Sequence, residues 1–317
     1  MNKILLATTA LVATAGVASA EVSLSGWAEM GLVGGDARAT DAGGSASVFA
    51  GETQFHTGVD VRFTLSGETD AGLTFGASID LDESGATQSG RDGANSTKAA
   101  VFISGGFGTV TMGDTDGALD WAMQEVGMGS SIADDHTTHV GYNGNSGQDG
   151  TPNGNVLRYD NTFGDFGVAL SAQMADTPAE DSTFGLGVKY NVALGGLDLG
   201  LGLGYQDNGT NAHTGLSVDT TFANGLRAIL NYSDLDGTLA ADNDSHMAIG
   251  LGYTSGALLV HANYGEFETV GGTKTDAYAI AVNYDLGGAA VQFGYTNDIS
   301  ADAGEQASWS LGLAMSF

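Results

Sequence analysis

The densest run of groups able to do chemistry in this sequence is Asp134-Asp135-His136, followed by His139. Two imidazoles three residues apart bind a metal only with ligands supplied from elsewhere. The adjacent acids here, and Asp242 and Asp244 further on, could hold a divalent cation such as calcium through oxygen, but loosely. Solvated acidic loops, with both histidines facing solvent or an open interior, explain the same residues more simply. No cofactor is expected beyond such loosely held ions. The Gly/Asp-rich stretch GQDGTPNGN (147–155) occurs once, whereas a calcium-binding solenoid needs its nonapeptide repeated. Catalytic patterns are weaker still: there is no GxSxG elbow, Walker loop or HExxH. Glu29 and Asp60 could pair as carboxylates, and His213 and His261 have serines around them. Nothing in the spacing selects a nucleophile, and an open, wet site would not separate two carboxylate pKa values. No enzyme is expected.

Acidic side chains number 38 against 9 Lys and Arg, a formal net charge of −29. Phosphate binding needs a basic surface, so nucleic acid is not an expected partner. Residues 1–20 read as an export signal: a basic MNK start, the apolar run ILLATTALVATAGV and the small-residue site Ala18-Ser19-Ala20. Cleavage after Ala20 would leave one domain, 21–317. With no cysteine there is neither a disulfide framework nor a thiolate metal site. No apolar run after residue 20 is long enough for a transmembrane helix.

The elements that must position the acids show a period of two almost from end to end. In LDLGLGLGYQ (Leu197–Gln206) every second residue is leucine or tyrosine, and glycine fills three of the gaps. SWSLGLAMSF at the C-terminus places Trp309, Leu311, Leu313, Met315 and Phe317 on one face, against Ser, Gly and Ala on the other. Sixteen such segments follow one another, the first near 21–34 and the last near 305–317. Short Gly/Asn/Asp turns alternate with longer polar loops, of which the longest spans about 115–154. This predicts an all-β chain, a 16-stranded antiparallel transmembrane barrel. An apolar face needs only lipid as its partner, and a face of small residues would keep a water-filled bore wide with nothing packed on it. Such a sheet must close, because unpaired edge groups cannot be satisfied in hydrocarbon.

The charges agree with that reading. A charge facing lipid at mid-membrane costs about 2–4 kcal/mol. The outward parity of the well-defined strands is free of Asp, Glu, Lys and Arg at its centre, whereas Glu29, Asp60, Arg62, Asp80, Asp82, Arg158, Lys189, Asp198, Asp219 and Arg227 fall on the inward parity.

Several stretches resemble the alphaproteobacterial general porins, in order and along the whole mature chain. They are EVSLSGWAEMGLV at the mature start, VRFTLSGETDAGLTFGASIDLDE, AVFISGGFGTVTMGDTDGA, NVLRYDNTFGDFGVALSAQM and the terminal Phe317. The resemblance implies a homotrimer in the outer membrane of a Gram-negative bacterium, in contact with lipid and lipopolysaccharide. It also implies that the long third loop folds into the pore and forms an eyelet with the facing wall. Family members set an acidic loop against basic wall residues. Here the loop supplies Asp116, Asp120, Glu125, Asp134, Asp135 and Asp149, but Glu29, Asp60 and Asp80 stand where the family typically has a basic residue. Asp82 adds to them, and only Arg62 and Arg158 are expected to face the loop acids.

The expected function is passive diffusion of small hydrophilic solutes and ions, with a preference for cations. One carboxylate about 5 Å from a cation is worth ~0.8 kcal/mol in bulk-like water, so several give a bias of ~10-fold. Salt screens that bias over ~8–10 Å. Two alternatives differ in the lumen. A solute-selective porin would carry an aromatic slide, for which Trp27 and Trp121 are candidates, and a non-conducting structural barrel would have a blocked interior.

Overall fold

The computed structural model describes residues 21–36, 53–84, 98–132, 139–150, 154–178, 181–237, 242–300 and 304–317. The export signal, Asp134, Asp135 and His136 lie outside them. The first eight strands are β1 (Glu21–Gly35), β2 (Gln54–Glu68), β3 (Thr74–Ser84), β4 (Lys98–Gly105), β5 (Gly108–Gly113), β6 (Val156–Phe163), β7 (Phe166–Gln173) and β8 (Thr183–Ala193). The second eight are β9 (Leu197–Asp207), β10 (Ala212–Phe222), β11 (Leu226–Leu235), β12 (Asn243–Ser255), β13 (Leu258–Thr269), β14 (Lys274–Asp285), β15 (Ala289–Ser300) and β16 (Gly304–Ser316). A short helix, α1 (Ala118–Ala122), lies between β5 and β6.

Each strand pairs antiparallel with its sequence neighbours, and β16 returns to β1 to close the barrel. The closing register runs from Trp27 opposite Ser316 to Gly35 opposite Ser308. Phe317 then donates its N–H to the Gly26 carbonyl at 2.9 Å, so the last residue of the chain is tied into the seam. Closure leaves no sheet edge for lipid to meet. The expected fold class is borne out in strand number, pairing and closure.

Alternation decides which face each residue takes, because successive side chains in a strand point opposite ways. In β9 Leu201, Leu203 and Tyr205 are exposed on the outside, whereas Gly202, Gly204 and Gln206 are buried on the inside. Leu170, Leu186, Leu216, Ile249 and Leu251 continue the exposed apolar surface on neighbouring strands. A water-soluble monomer does not expose a contiguous belt of this kind. Near the short turns the belt ends in exposed rings, among them Phe107, Phe163, Phe166, Phe222, Tyr253 and Tyr284. Such aromatic girdles mark a membrane interface.

Burial of hydrophobic side chains is confined to the inside. Val33 packs on Ile132, and Ile229 and Ala248 pack on Val126. Each of these pairs joins a strand to the segment between β5 and β6. The inner face is therefore not bare where this segment passes, contrary to the expectation drawn from its small residues. The physical reason is that small wall residues admit another piece of chain as readily as they admit water.

Candidate functional site

The segment after β5 leaves the wall at Asp114, and its described residues run along the inner face from β6 and β7 as far as β1 before returning toward β9 and β7. Its backbone polar groups must find partners away from other chain segments, and inward side chains of the strands supply them. The Ala118 N–H donates to Ser171 Oγ at 2.9 Å, and the Gln124 N–H to Ser217 Oγ at 2.8 Å. Asn231 Nδ2 donates to the Gln124 carbonyl at 2.9 Å, and His261 Nε2 to that of Val126 at 3.1 Å. Asn283 Nδ2 reaches the Ser130 carbonyl at 2.6 Å, and Ile132 lies over Gly31 and Gly312. On the return, His246 Nε2 donates to the Gly141 carbonyl at 3.0 Å, and the Gln148 N–H to Gln206 Oε1 at 2.7 Å. Asp149 closes the circuit by accepting from the Gly117 N–H at 2.5 Å and from Gln206 Nε2 at 2.7 Å.

Charged groups gather where the segment begins. A cavity of about 390 Å³ is lined by Arg62, Ser78, Asp80, Phe102, Asp114 and Asp116 among others. Arg62 and Asp80 stand opposite each other in register, and the guanidinium grips the carboxylate through Nε at 2.6 Å and through Nη2. Asp114 and Asp116 are not gripped in this two-pronged way. Arg158 sits beside them, donating Nε to Asp160 at 3.1 Å and Nη1 to the Asp116 backbone carbonyl at 2.7 Å. The Asp116 carboxylate lies 4.0 Å from Arg158 with its side chain 66% exposed. Further round the wall, Arg227 is held bidentate by Asp219 at 2.9 and 2.7 Å. Basic groups on the wall are thus largely matched by wall acids, and the loop acids come in excess.

The residues expected to form the site are brought together only in part. Arg62, Asp80 and Asp116 line the cavity and Arg158 reaches Asp116 from beside it, with Asp60 two residues from Arg62 on the same face of β2. Asp82 takes a place in β3 opposite Asp60. Asp134 and Asp135 are not among the described residues. Glu29 departs from expectation: it is 5% exposed and bonded to His56 at 2.5 Å, so it does not present a bare charge to the interior. Gly58, directly opposite Glu29, leaves the room over which its side chain folds to reach His56. Glu125 accepts a hydrogen bond from the Tyr142 hydroxyl at 2.5 Å, within the segment itself. His139, expected at solvent or an open interior, is instead fully buried, with Nε2 2.8 Å from Asn263 Oδ1. Trp121 fills the space over Gly167, with the Lys189 ammonium 3.6 Å from its ring centroid.

Burial raises the pKa of two loop acids. Asp120 on α1 is pushed up to about 8, first by burial and then by the charges of Asp116, Glu125 and Asp149, with Arg158 acting the other way. Burial also raises Asp149, and the bonds from Gly117 and Gln206 oppose it. Among the described residues no three His, Asp or Glu side chains converge as metal ligands. Two contributors were missed by sequence reasoning, Asp114 and Asp160. Asp160 lies two residues from Arg158 on the same face of β6, and Asp114 lies two residues before Asp116, just beyond the end of β5.

Comparison with known proteins gives one consistent result. Residues 7–317 match the family model described as Gram-negative porin. A porin of Rhodobacter capsulatus is 29% identical over 302 residues, covering 85% of this chain and 91% of that one. A solved porin structure superposes with a TM-score of 0.68 at 23% identity, over 94% of this chain and all of the other. A triple mutant of Rhodopseudomonas blastica porin gives 0.64 at 20% identity, again over 94% and 100%.

Proposed function

Since the chain belongs to the Gram-negative porin family, we propose that it is a passive pore for small hydrophilic solutes and ions, with a preference for cations. Its place is the outer membrane, where the apolar outer face of the barrel meets lipid. The described residues of the segment 115–154 lie inside the bore in this reading and form its narrow part against β2 and β3. The observation that carries the preference is the charge lining the cavity beside that segment: among the described residues, Asp80, Asp114 and Asp116 stand against Arg62. The Arg62–Asp80 and Arg158–Asp160 pairs each cancel, and Asp114 and the exposed Asp116 carboxylate, 4.0 Å from Arg158, are left to face the solute. Solutes are sorted by size and field, with no energy input and no catalytic step. The working unit is a homotrimer set among lipid and lipopolysaccharide, and residues 1–20 are removed on export.

Two measurements test the proposal. In liposomes, influx of neutral sugars should fall steeply with size and rise linearly with concentration. Saturation at low concentration would favour a solute-selective porin instead. In planar bilayers, Asp114→Asn combined with Asp116→Asn should bring the ratio of cation to anion permeability toward unity. An unchanged ratio in that variant would place the preference elsewhere. Trp121 gives the selective alternative little support, because Lys189 and Gly167 hold its ring against the wall.

A further inference from the structure

Glycine weakens a strand, since it adds no packing and loses more conformational freedom than other residues. Four inward glycines nevertheless sit under the loop, at places where no side chain could stand. A Cβ on Gly187 would collide with the backbone carbonyl of Ala118, one on Gly202 with that of Ala122, and one on Gly250 with that of Val126. Gly265 meets the carbonyl of Gly141 in the same way, and a Cβ on Gly141 would in turn strike the carbonyl of Gly265. The three forward contacts recur every four residues of the loop, on β8, β9 and β12. Two other inward glycines face only the tips of methionines, Gly215 under Met123 and Gly252 under Met128. Gly200 lies inward on β9 with no loop atom among its nearest neighbours.

We infer that Gly187, Gly202, Gly250 and Gly265 determine the free cross-section of the pore by letting the third loop lie with its backbone directly on the strands. The inference rests on the reading that this loop lies within the conducting bore. The loop cannot escape a new methyl group by sliding along the wall, because hydrogen bonds fix it at neighbouring points. Ser217, opposite Gly202 in register, holds the Gln124 N–H, and His261 and His246 hold the carbonyls of Val126 and Gly141. Its remaining direction of movement is into the bore. Restoring ordinary contact at ~3.5 Å requires a retreat on the order of 1 Å. Methionine side chains, by contrast, are flexible and repack around an added methyl.

The test compares single-channel conductance in planar bilayers for Gly202→Ala, Gly250→Ala and the double variant with Gly215→Ala, Gly252→Ala and Gly200→Ala. Each backbone seat should lower conductance by roughly a fifth or more, cumulatively in the double variant, and the three comparison variants should conduct as the parent does. Equal conductance across both groups overturns the inference. A variant with residues 119–145 replaced by a short Gly-Ser linker separates the two readings. If it conducts no better than the parent, the loop does not limit the bore, and that reading fails on its own. If it conducts better while the seat variants equal the parent, the glycine inference alone fails. Should Gly250→Ala not fold, the same substitution in the linker background must fold, since every atom its Cβ would meet belongs to the replaced loop, whereas at Gly202 the wall hydroxyl of Ser217 remains. Failure there contradicts the inference.

Discussion

Asp120 is one side of a local conflict: a half-buried carboxyl placed among Asp116, Glu125 and Asp149. With a pKa of about 8 it is mainly neutral at pH 7 and gains its charge as pH rises through that value. The sign is therefore clear: cation preference should grow between pH values about one unit either side of 8. Permeability ratios measured across that range should rise for the parent protein and stay flat for Asp120→Asn. A rise that survives Asp120→Asn would assign the titration to another group. The identities of these acids were legible in the sequence, but their states were not. Parity gave the inward face of Glu29 correctly, yet its pairing with His56 depends on Gly58 lying opposite, a register no local pattern reveals. Asp114 escaped notice for a similar reason, since its importance comes from sharing a cavity with Arg62 and Asp80.

Strands and turns were far more legible than the path of the long loop. Period-two patterning found all sixteen strands because each meets lipid on one side, and that requirement is written locally in every second residue. The turns follow from glycine at positions of positive φ. Gly225, between β10 and β11, has φ +89°; its N–H donates to the Phe222 carbonyl within the turn, and its carbonyl accepts from the Thr254 N–H of β12. Gly225→Ala should destabilise the barrel by about 1–2 kcal/mol, because left-handed backbone penalises a Cβ, and a urea titration of the protein in vesicles reads the shift. An unchanged midpoint would mean that the turn adopts another conformation at no cost. The loop seats could not be foreseen, since each joins residues tens of positions apart, such as Ala118 and Gly187. The same glycines that read as open space in the sequence prove to be the places of tightest approach.

At the scale of the molecule, the two faces of one sheet answer to different solvents. Leu203 points outward and is 53% exposed, whereas Thr111 lines the inner cavity. Leu203→Lys should cost about 2–4 kcal/mol of insertion free energy, measured by folding into liposomes. Thr111→Lys should fold as the parent does but weaken the cation preference, and a folding defect of equal size in both would contradict the assignment of faces. The central claim is that a closed barrel carries a water-filled bore whose free acids outnumber its free bases. Its most direct test is the reversal potential of the purified protein in a planar bilayer under a potassium chloride gradient. The account predicts a potential displaced toward that of potassium, shrinking as salt rises, and a potential of zero or one displaced toward chloride would contradict it.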